Sequence, residues 1–151
     1  MKYAFRVKHT AALLFLDLNH FKLINDKFGH DIGDDALRHM AELLCRVFRD
    51  ADIFARLGGD EFVVLLPGTG SEHCQRIKER LNHAIDDFNS HSGKPYQLSC
   101  SLGIVIYDAS MPPNLDQLLR HADEEMYSCK VKRLLSGFRS LFLYVKSYNN
   151  K

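Results

Sequence analysis

The stretch Ala11–Leu18 restricts the possible folds more than any other part of the sequence, because it is almost continuously apolar and contains one polar residue, Asp17. A short run of this kind is typical of a strand that is buried on both faces of a sheet. Its uninterrupted part, Ala11–Leu16, is too short to cross a membrane or to form the core of a signal peptide. We therefore expect a buried strand in a cytoplasmic domain that makes no membrane contact of its own.

Helical and strand patterns alternate along the rest of the chain. A helix from about Phe21 to Phe28 is predicted to stop at Gly29, and Asp34 and Asp35 are predicted to open a second helix. The later predicted elements are strands Ile53–Leu57 and Glu61–Leu66 with a tight turn at Gly58-Gly59, a helix from Ser71 to about Asn89, a strand Gln97–Tyr107, a helix from about Leu115 to Arg133 and an edge strand at Leu141–Val145.

This order of elements, βαββαβ, predicts an α+β domain of the ferredoxin-like type, an antiparallel four-stranded sheet with helices on one face. In that arrangement the first and second strands are parallel and the third lies between them. The carboxyl end of the first strand, at Asp17, would therefore lie beside the Gly58-Gly59 turn, more than forty residues away in sequence.

Composition excludes several classes of protein. The 151 residues fit one domain, and 20 Lys+Arg against 19 Asp+Glu give a net charge of +1, which argues against a protein that binds nucleic acid through a basic face. The four cysteines form no CxxC pair, so buried or half-buried thiols are expected rather than a zinc site or disulfides; they are Cys45, Cys74, Cys100 and Cys129.

Three carboxylates, Asp17, Asp60 and Glu61, are predicted to share one edge of the sheet. Carboxylates at one edge repel each other unless a cation neutralises them, and oxygen ligands beside a phosphate suit Mg²⁺. Taken alone, Asp17 could simply end a strand. Its predicted position beside two further carboxylates favours a metal site.

The same edge has features that suit an anion. Gly58 and Gly59 would let the backbone approach a phosphate, the helix that begins at Phe21 offers free N–H groups, and Lys22 adds a positive charge. A glycine pair that only turns a hairpin is the alternative.

The run Arg56-Leu-Gly-Gly-Asp-Glu-Phe62 resembles the signature of the GGDEF family of diguanylate cyclases. The resemblance extends from about Leu13 to Lys130, through Asp17–Asp26, Phe28–Asp34, Ser101–Ile104, Ala122–Tyr127 and Lys130. It implies a nucleotidyl cyclase or polymerase-palm version of the predicted fold. The implied reaction joins two GTP molecules into cyclic di-GMP and releases two pyrophosphates.

The resemblance implies a metal centre for Mg²⁺ or Mn²⁺. Asp17 and Asp60 would bind the metal through their carboxylates and Leu18 through its carbonyl. Glu61 would be either a second-metal ligand or the base that activates the 3′-hydroxyl. Asp60, Glu61 and Lys22 are therefore the implied catalytic residues.

The resemblance also implies a substrate site. Asn25 and Asp34 would recognise guanine, because a carboxylate can accept from both N1–H and the exocyclic amine, whereas adenine leaves it unpaired. A helix-surface amide and a helix N-cap are the alternatives for these two residues. The residues implied to contact the phosphates are Phe21, Lys22, Gly59 and Lys130.

An RxxD pattern, Arg49 to Asp52, lies where the family has a product-inhibition site, and Arg80 lies where the family has a second inhibitory arginine. An arginine suits guanine because its planar fork pairs with O6 and N7. A cation near a helix C-terminus is the alternative for Arg49.

Domain organisation follows from where the resemblance ends. We expect an N-terminal segment 1–10 without the family's usual start, a GGDEF domain at 11–133 and an atypical tail at 134–151. The expected partners are GTP, cyclic di-GMP and a second copy of the chain. An impaired module that binds GTP or cyclic di-GMP as a receptor is the alternative; an ATP cyclase is disfavoured by Asn25 and Asp34.

Overall fold

The computed structural model describes residues 10–111 and 113–128, and the elements there follow the predicted order. They are β1 (Thr10–Leu18), α1 (Phe21–Phe28), α2 (His30–Val47), β2 (Ile53–Gly58), β3 (Glu61–Pro67), α3 (Ser71–His91) and β4 (Cys100–Asp108), followed by helical residues 115–128, named α4 here. The edge strand predicted at Leu141–Val145 lies outside the described residues. Among the described helices, none combines the length and hydropathy needed to cross a membrane.

The four strands form one sheet in the order β2-β3-β1-β4, with every neighbouring pair antiparallel. β1 lies in the interior of the sheet, between β3 and β4, and every residue from Ala11 to Leu18 is buried. β1 and β2 are parallel to each other because both are antiparallel to β3. The predicted α+β fold is confirmed.

Helices cover both faces of the sheet, so the prediction of helices on one face was wrong. Leu14 and Leu16 of β1 belong to the main core, which includes buried residues of α2 and α3. Phe15 points to the other side, where it packs with Ala122 and Met126 of α4. A strand with large apolar residues on both faces requires cover on both, and α4 supplies the second layer.

Gly103 of β4 explains how closely α4 approaches the sheet. A Cβ atom at this position would overlap the backbone of α4 at Ala122 and Met126. The absence of a side chain at Gly103 therefore lets the helix lie directly on the strand.

The start of α2 was predicted wrongly. The helix begins at His30, and Gly29, with φ 90°, both ends α1 and precedes α2. A left-handed residue that glycine tolerates makes the turn between the two helices without a loop. Asp34 therefore lies inside the helix, which excludes the alternative that it is an N-cap.

Two strand boundaries also differ from the prediction. β4 begins at Cys100 rather than Gln97, because the backbone N–H and carbonyl of Leu98 bond to the side chain of Asn89 at 2.7 and 2.8 Å instead of to a strand. The hairpin turn is formed by Gly59 and Asp60, since Gly58 still pairs with Glu61.

The cysteines follow their prediction in part. Cys74 is buried and Cys100 is half-buried, but Cys45 is exposed on α2. Cys129 lies outside the described residues.

Candidate functional site

The carboxyl end of β1 lies beside the β2–β3 hairpin, as the topology predicted. Asp17 is paired with Glu61 in the β1–β3 register. The backbone N–H of Leu18 donates to the carbonyl of Asp60 at 3.0 Å. The hairpin turn and the end of β1 therefore form one continuous edge, which we call the acidic edge after Asp17, Asp60 and Glu61.

Two carboxyl groups are in direct contact at the acidic edge. Asp17 is 9% exposed, and its side chain is hydrogen-bonded to that of Asp60. Burial, followed by the hydrogen bond to Asp17 and repulsion by Asp17 and Glu61, raises the pKa of Asp60 from 3.8 to about 6. The acidic edge thus concentrates more negative charge than its surroundings compensate.

The donor set at the acidic edge fits a hard cation that brings most of its own ligands. Within residues 10–111 and 113–128, no group of three His, Cys, Asp or Glu side chains is arranged to hold a metal by itself. Mg²⁺ is typically held by one or two carboxylates and takes its other ligands from water and substrate phosphate. Asp17 and Asp60 meet that requirement, whereas Glu61 is exposed.

The loop after β1 is fixed by an amide that the sequence reasoning missed. The side chain of Asn19 donates to the Ser99 hydroxyl at 2.9 Å and accepts from the Ser101 hydroxyl at 2.7 Å. Its backbone N–H donates to the Ser99 carbonyl at 2.7 Å. These bonds attach the chain just before α1 to β4 and therefore fix the position of the helix start.

The residues expected to contact phosphate lie at the two turns of this edge. α1 begins without a side-chain cap, Lys22 in its first turn is exposed, and Phe21 is partly exposed. Gly59, with φ 53°, forms the hairpin turn. Lys130 lies outside the described residues.

Asn25 carries a buried acceptor. Among the described residues its Oδ1 atom has no hydrogen-bond partner. The side chain lies against Gly33 of α2, where a Cβ would overlap Oδ1. Gly33 is therefore a site residue that the sequence reasoning missed; its place in the stretch Phe28–Asp34, which carries part of the family resemblance, was the available signal.

Asp34 is exposed and opens into a cleft of about 360 Å³ between α2 and the hairpin, which we call the Asp34 cleft. Its floor is apolar and its polar groups are one carboxylate and two guanidinium groups; the lining residues are Asp34, Leu37, Arg38, Ala41, Phe54, Arg56 and Phe62. Arg56 donates from Nε to the Gly59 carbonyl at 2.9 Å, which connects the cleft to the hairpin turn.

The next residue, Asp35, has a different environment. Its carboxylate accepts from the Tyr96 hydroxyl at 2.7 Å, lies 3.0 Å from Lys94 Nζ and forms a close ion pair with Arg38. The hydrogen bond from Tyr96, followed by that from Lys94, lowers the pKa of Asp35 to about 2. His39 Nδ1 lies 3.1 Å from the Tyr96 hydroxyl. These five residues form what we call the Asp35 cluster.

The residues of the predicted inhibitory site lie together where the loop between α2 and β2 approaches α3. The Arg49 N–H donates to the Asp52 carboxylate at 2.8 Å, and the Arg49 guanidinium lies 3.4 Å from His73 Nδ1. Burial lowers the pKa of His73, and the charges of Arg49, Arg76 and Arg80 lower it further. We call Arg49, Asp52, His73, Arg76 and Arg80 the arginine cluster.

Arg80 also anchors the arginine cluster to the neighbouring helix. Its guanidinium donates to the Val47 carbonyl at the end of α2, at 2.6 Å. The structure therefore brings Arg49, Asp52 and Arg80 to one surface, although it does not test their role.

Comparisons with known proteins agree with the sequence resemblance. Residues 1–133 match the family model described as "Diguanylate cyclase, GGDEF domain". Diguanylate cyclase DgcP of Pseudomonas aeruginosa is 41% identical over 119 residues, which are 78% of this chain and 17% of that protein. The cyclic di-GMP phosphodiesterase NbdA of the same species is 35% identical over 123 residues, 79% of this chain and 15% of that protein. The chain thus spans a small part of these curated relatives.

Solved structures show the same fold. The GGDEF domain of PA1120 from Pseudomonas aeruginosa is 34% identical, with a TM-score of 0.72, over 82% of this chain and 72% of that chain. The GGDEF domain of DgcB from Caulobacter crescentus, in complex with c-di-GMP, is 25% identical, with a TM-score of 0.67, over 82% of this chain and 73% of that chain. Because the family model matches most of its length, the chain belongs to the GGDEF domain family of diguanylate cyclases.

Proposed function

We propose that this chain is a catalytic domain that condenses two GTP molecules into cyclic di-GMP. In each of two steps, the 3′-oxygen of one GTP bonds to the α-phosphorus of the other, the bond from that phosphorus to the β-phosphate oxygen breaks, and pyrophosphate leaves. The observation that carries the proposal is the direct contact of the Asp17 and Asp60 carboxyl groups beside the hairpin turn.

The phosphates of GTP would lie between two backbone turns. The uncapped start of α1 offers N–H groups to an anion, and Lys22 adds a cation beside them. Gly59, in the opposing turn, has no side chain that would block a phosphate. These groups would orient the triphosphate, and Glu61 would be either the base that takes the 3′-hydroxyl proton or a further metal ligand.

Mg²⁺ or Mn²⁺ is the metal that this donor set suits. Asp17 and Asp60 would hold it through their carboxylates, and Leu18 through its carbonyl. When bound, the metal would neutralise the charge that develops on the reacting phosphate. The raised pKa of Asp60 supports this assignment, because burial and the neighbouring Asp17 carboxyl group disfavour the ionised form and a bound cation would offset both.

Guanine would be recognised by Asn25 and Asp34. The buried Oδ1 of Asn25 lacks a partner among the described residues, so it can accept from a ligand donor without losing an existing bond. The exposed Asp34 carboxylate can accept from guanine N1–H and the exocyclic amine together.

Two copies of the chain would face each other during the reaction, because each copy would bind one GTP and each 3′-hydroxyl must reach the other nucleotide. The test is incubation with GTP and Mg²⁺, with chromatography for cyclic di-GMP and a phosphate assay for pyrophosphate. The expected product ratio is two pyrophosphates for each cyclic di-GMP. GTP that remains unchanged at high protein concentration, where a dimer would form, would contradict the proposal.

A second candidate, a receptor for cyclic di-GMP without turnover, is favoured by the arginine cluster. Arg49 and Arg80 could donate to O6 and N7 of guanine, and Asp52 could accept from its ring N–H and amine. In an active enzyme, the same site would produce feedback inhibition.

Arg49→Ala tests this site. It should relieve inhibition by cyclic di-GMP and leave the KM for GTP nearly unchanged, because the arginine cluster is separate from the acidic edge. Arg46→Ala, at an exposed arginine near the end of α2 and three residues before Arg49, is the matched control. Inhibition that excess GTP overcomes would instead place the product at the acidic edge.

A further inference from the structure

The Asp34 cleft contains Arg38, to which the proposed function assigns no role. Arg38 lies one helical turn after Asp34 and lines both the Asp34 cleft and the adjoining cleft of about 210 Å³, which Asp31, Asp34 and Asp35 also line. Residues four apart on a helix have Cβ atoms about 5–6 Å apart. That spacing is on the scale of the width of a purine ring.

The guanidinium of Arg38 is held in place from one side. One of its terminal nitrogens pairs with the Asp35 carboxylate, which is itself fixed by Tyr96 and Lys94. Among the hydrogen bonds of the described residues, Arg38 donates only from this nitrogen. Its other N–H donors are therefore available to a ligand. The side chain is 66% exposed, so a ligand in the cleft can reach those donors.

Guanine needs two kinds of partner in such a cleft. Its Watson–Crick edge presents the N1–H and 2-amino donors, which a carboxylate accepts, and its O6 and N7 atoms are acceptors, which an arginine fork matches. Asp34 supplies the carboxylate, and Arg38 supplies donors one turn away on the same helix.

We propose that Arg38 is a specificity-determining residue that binds guanine at O6 and N7 while Asp34 binds its Watson–Crick edge, and that Asp35 positions Arg38 for this contact. The inference rests on the proposed use of GTP and adds a second point of recognition. It requires that the Asp34 cleft holds the base, and it assigns a purpose to the ion pair between Arg38 and Asp35.

The test compares nucleotides that differ by one atom or group. Binding of 2′,3′-dideoxy-GTP, 7-deaza-2′,3′-dideoxy-GTP and 2′,3′-dideoxy-ITP is measured by calorimetry with Mg²⁺ present; these analogues lack the attacking hydroxyl and cannot react. The 7-deaza analogue lacks N7, and the inosine analogue lacks the 2-amino group. The wild type should bind the guanine nucleotide about tenfold or more tightly than the 7-deaza analogue, the range expected for a bidentate arginine contact.

Two variants separate the two contacts. Arg38→Ala should erase the preference over the 7-deaza analogue and keep the preference over the inosine analogue. Asp34→Ala should do the reverse. Arg38→Lys, which keeps the charge without the fork, should lose most of the N7 preference, and Arg46→Ala should behave as the wild type.

The outcomes distinguish this inference from the proposed function. Two results would overturn the role of Arg38 and leave the proposed function standing. In one, the wild type binds dideoxy-GTP without a preference over the 7-deaza analogue; in the other, that preference survives in Arg38→Ala. If the wild type fails to bind dideoxy-GTP, both are overturned.

Discussion

Asp60 and Asp35 are the same residue type in opposite environments. At the acidic edge, burial and a second carboxyl group raise the pKa of Asp60 to about 6. In the Asp35 cluster, a tyrosine hydroxyl and a lysine lower the pKa of Asp35 to about 2. The first carboxylate is left with uncompensated charge, whereas the second has its charge compensated by neighbours. Uncompensated charge around a half-buried carboxyl group is characteristic of a functional site. A carboxylate whose charge is compensated holds its neighbours in position, as Asp35 holds Arg38.

The largest test of this contrast is Asp60→Asn. Loss of a carboxylate that we propose holds the metal should reduce the rate of cyclic di-GMP formation about a thousandfold, equivalent to about 4 kcal/mol of transition-state stabilisation. Thermal unfolding without metal should occur at the same or a higher temperature, because a repulsive contact has been removed. Asp86→Asn, at an exposed position of α3, is the control and should retain activity. Near-normal activity of folded Asp60→Asn would contradict the metal assignment.

The acidic edge could be located from the sequence because it depends on topology. The apolar run of β1 and the glycine pair of the hairpin predicted the strands, and the order of elements placed Asp17 beside the turn. The Asp35 cluster could not be predicted, since Asp35 and Tyr96 are 61 residues apart and neither belongs to a periodic pattern. The start of α2 was missed for a related reason: a single left-handed glycine replaced the loop that the pattern suggested.

Gly33→Ala tests whether the proposed guanine site depends on the absence of a side chain at Gly33, beside Asn25. The added methyl group would overlap Asn25 Oδ1. Displacing that amide should weaken GTP binding about tenfold by calorimetry, within the range of about 1–3 kcal/mol for overpacking.

The double variant provides the control for this change. In an Asn25→Ala background the overlap is gone, so Gly33→Ala should instead stabilise α2 by up to about 1 kcal/mol through helix propensity. Equal effects of Gly33→Ala in both backgrounds, measured by urea unfolding and by GTP binding, would show that the contact with Asn25 does not matter.

Tyr96→Phe tests how much the compensation of the Asp35 charge stabilises the fold. It removes the hydroxyl that donates to Asp35 but keeps the ring, which packs near Phe88. A hydrogen bond to a charged group contributes about 1.5–3 kcal/mol, so the free energy of unfolding at pH 7 should fall by about that amount. The turnover number of the folded fraction should stay within a few-fold of the wild type. Tyr107→Phe, on β4, is the matched control. A loss of turnover without a loss of stability would mean that the Tyr96 hydroxyl acts on catalysis and does not stabilise the fold.

The pH dependence of this stabilisation has a definite sign and gives the smallest expected effect. The pKa of Asp35 is lowered from 3.8 to about 2 in the folded chain, so its contribution is fully present above pH 3.8 and is lost as the pH falls toward 2. Because the hydrogen bond from Tyr96 is the largest cause of the lowered pKa, the stability difference between wild type and Tyr96→Phe should narrow over that window. Urea unfolding at pH 5, 4 and 3 measures the difference directly, and other titrating carboxylates cancel because both proteins contain them. A difference that stays constant from pH 5 to 3 would mean that the Tyr96 hydroxyl does not distinguish the ionised from the protonated form of Asp35.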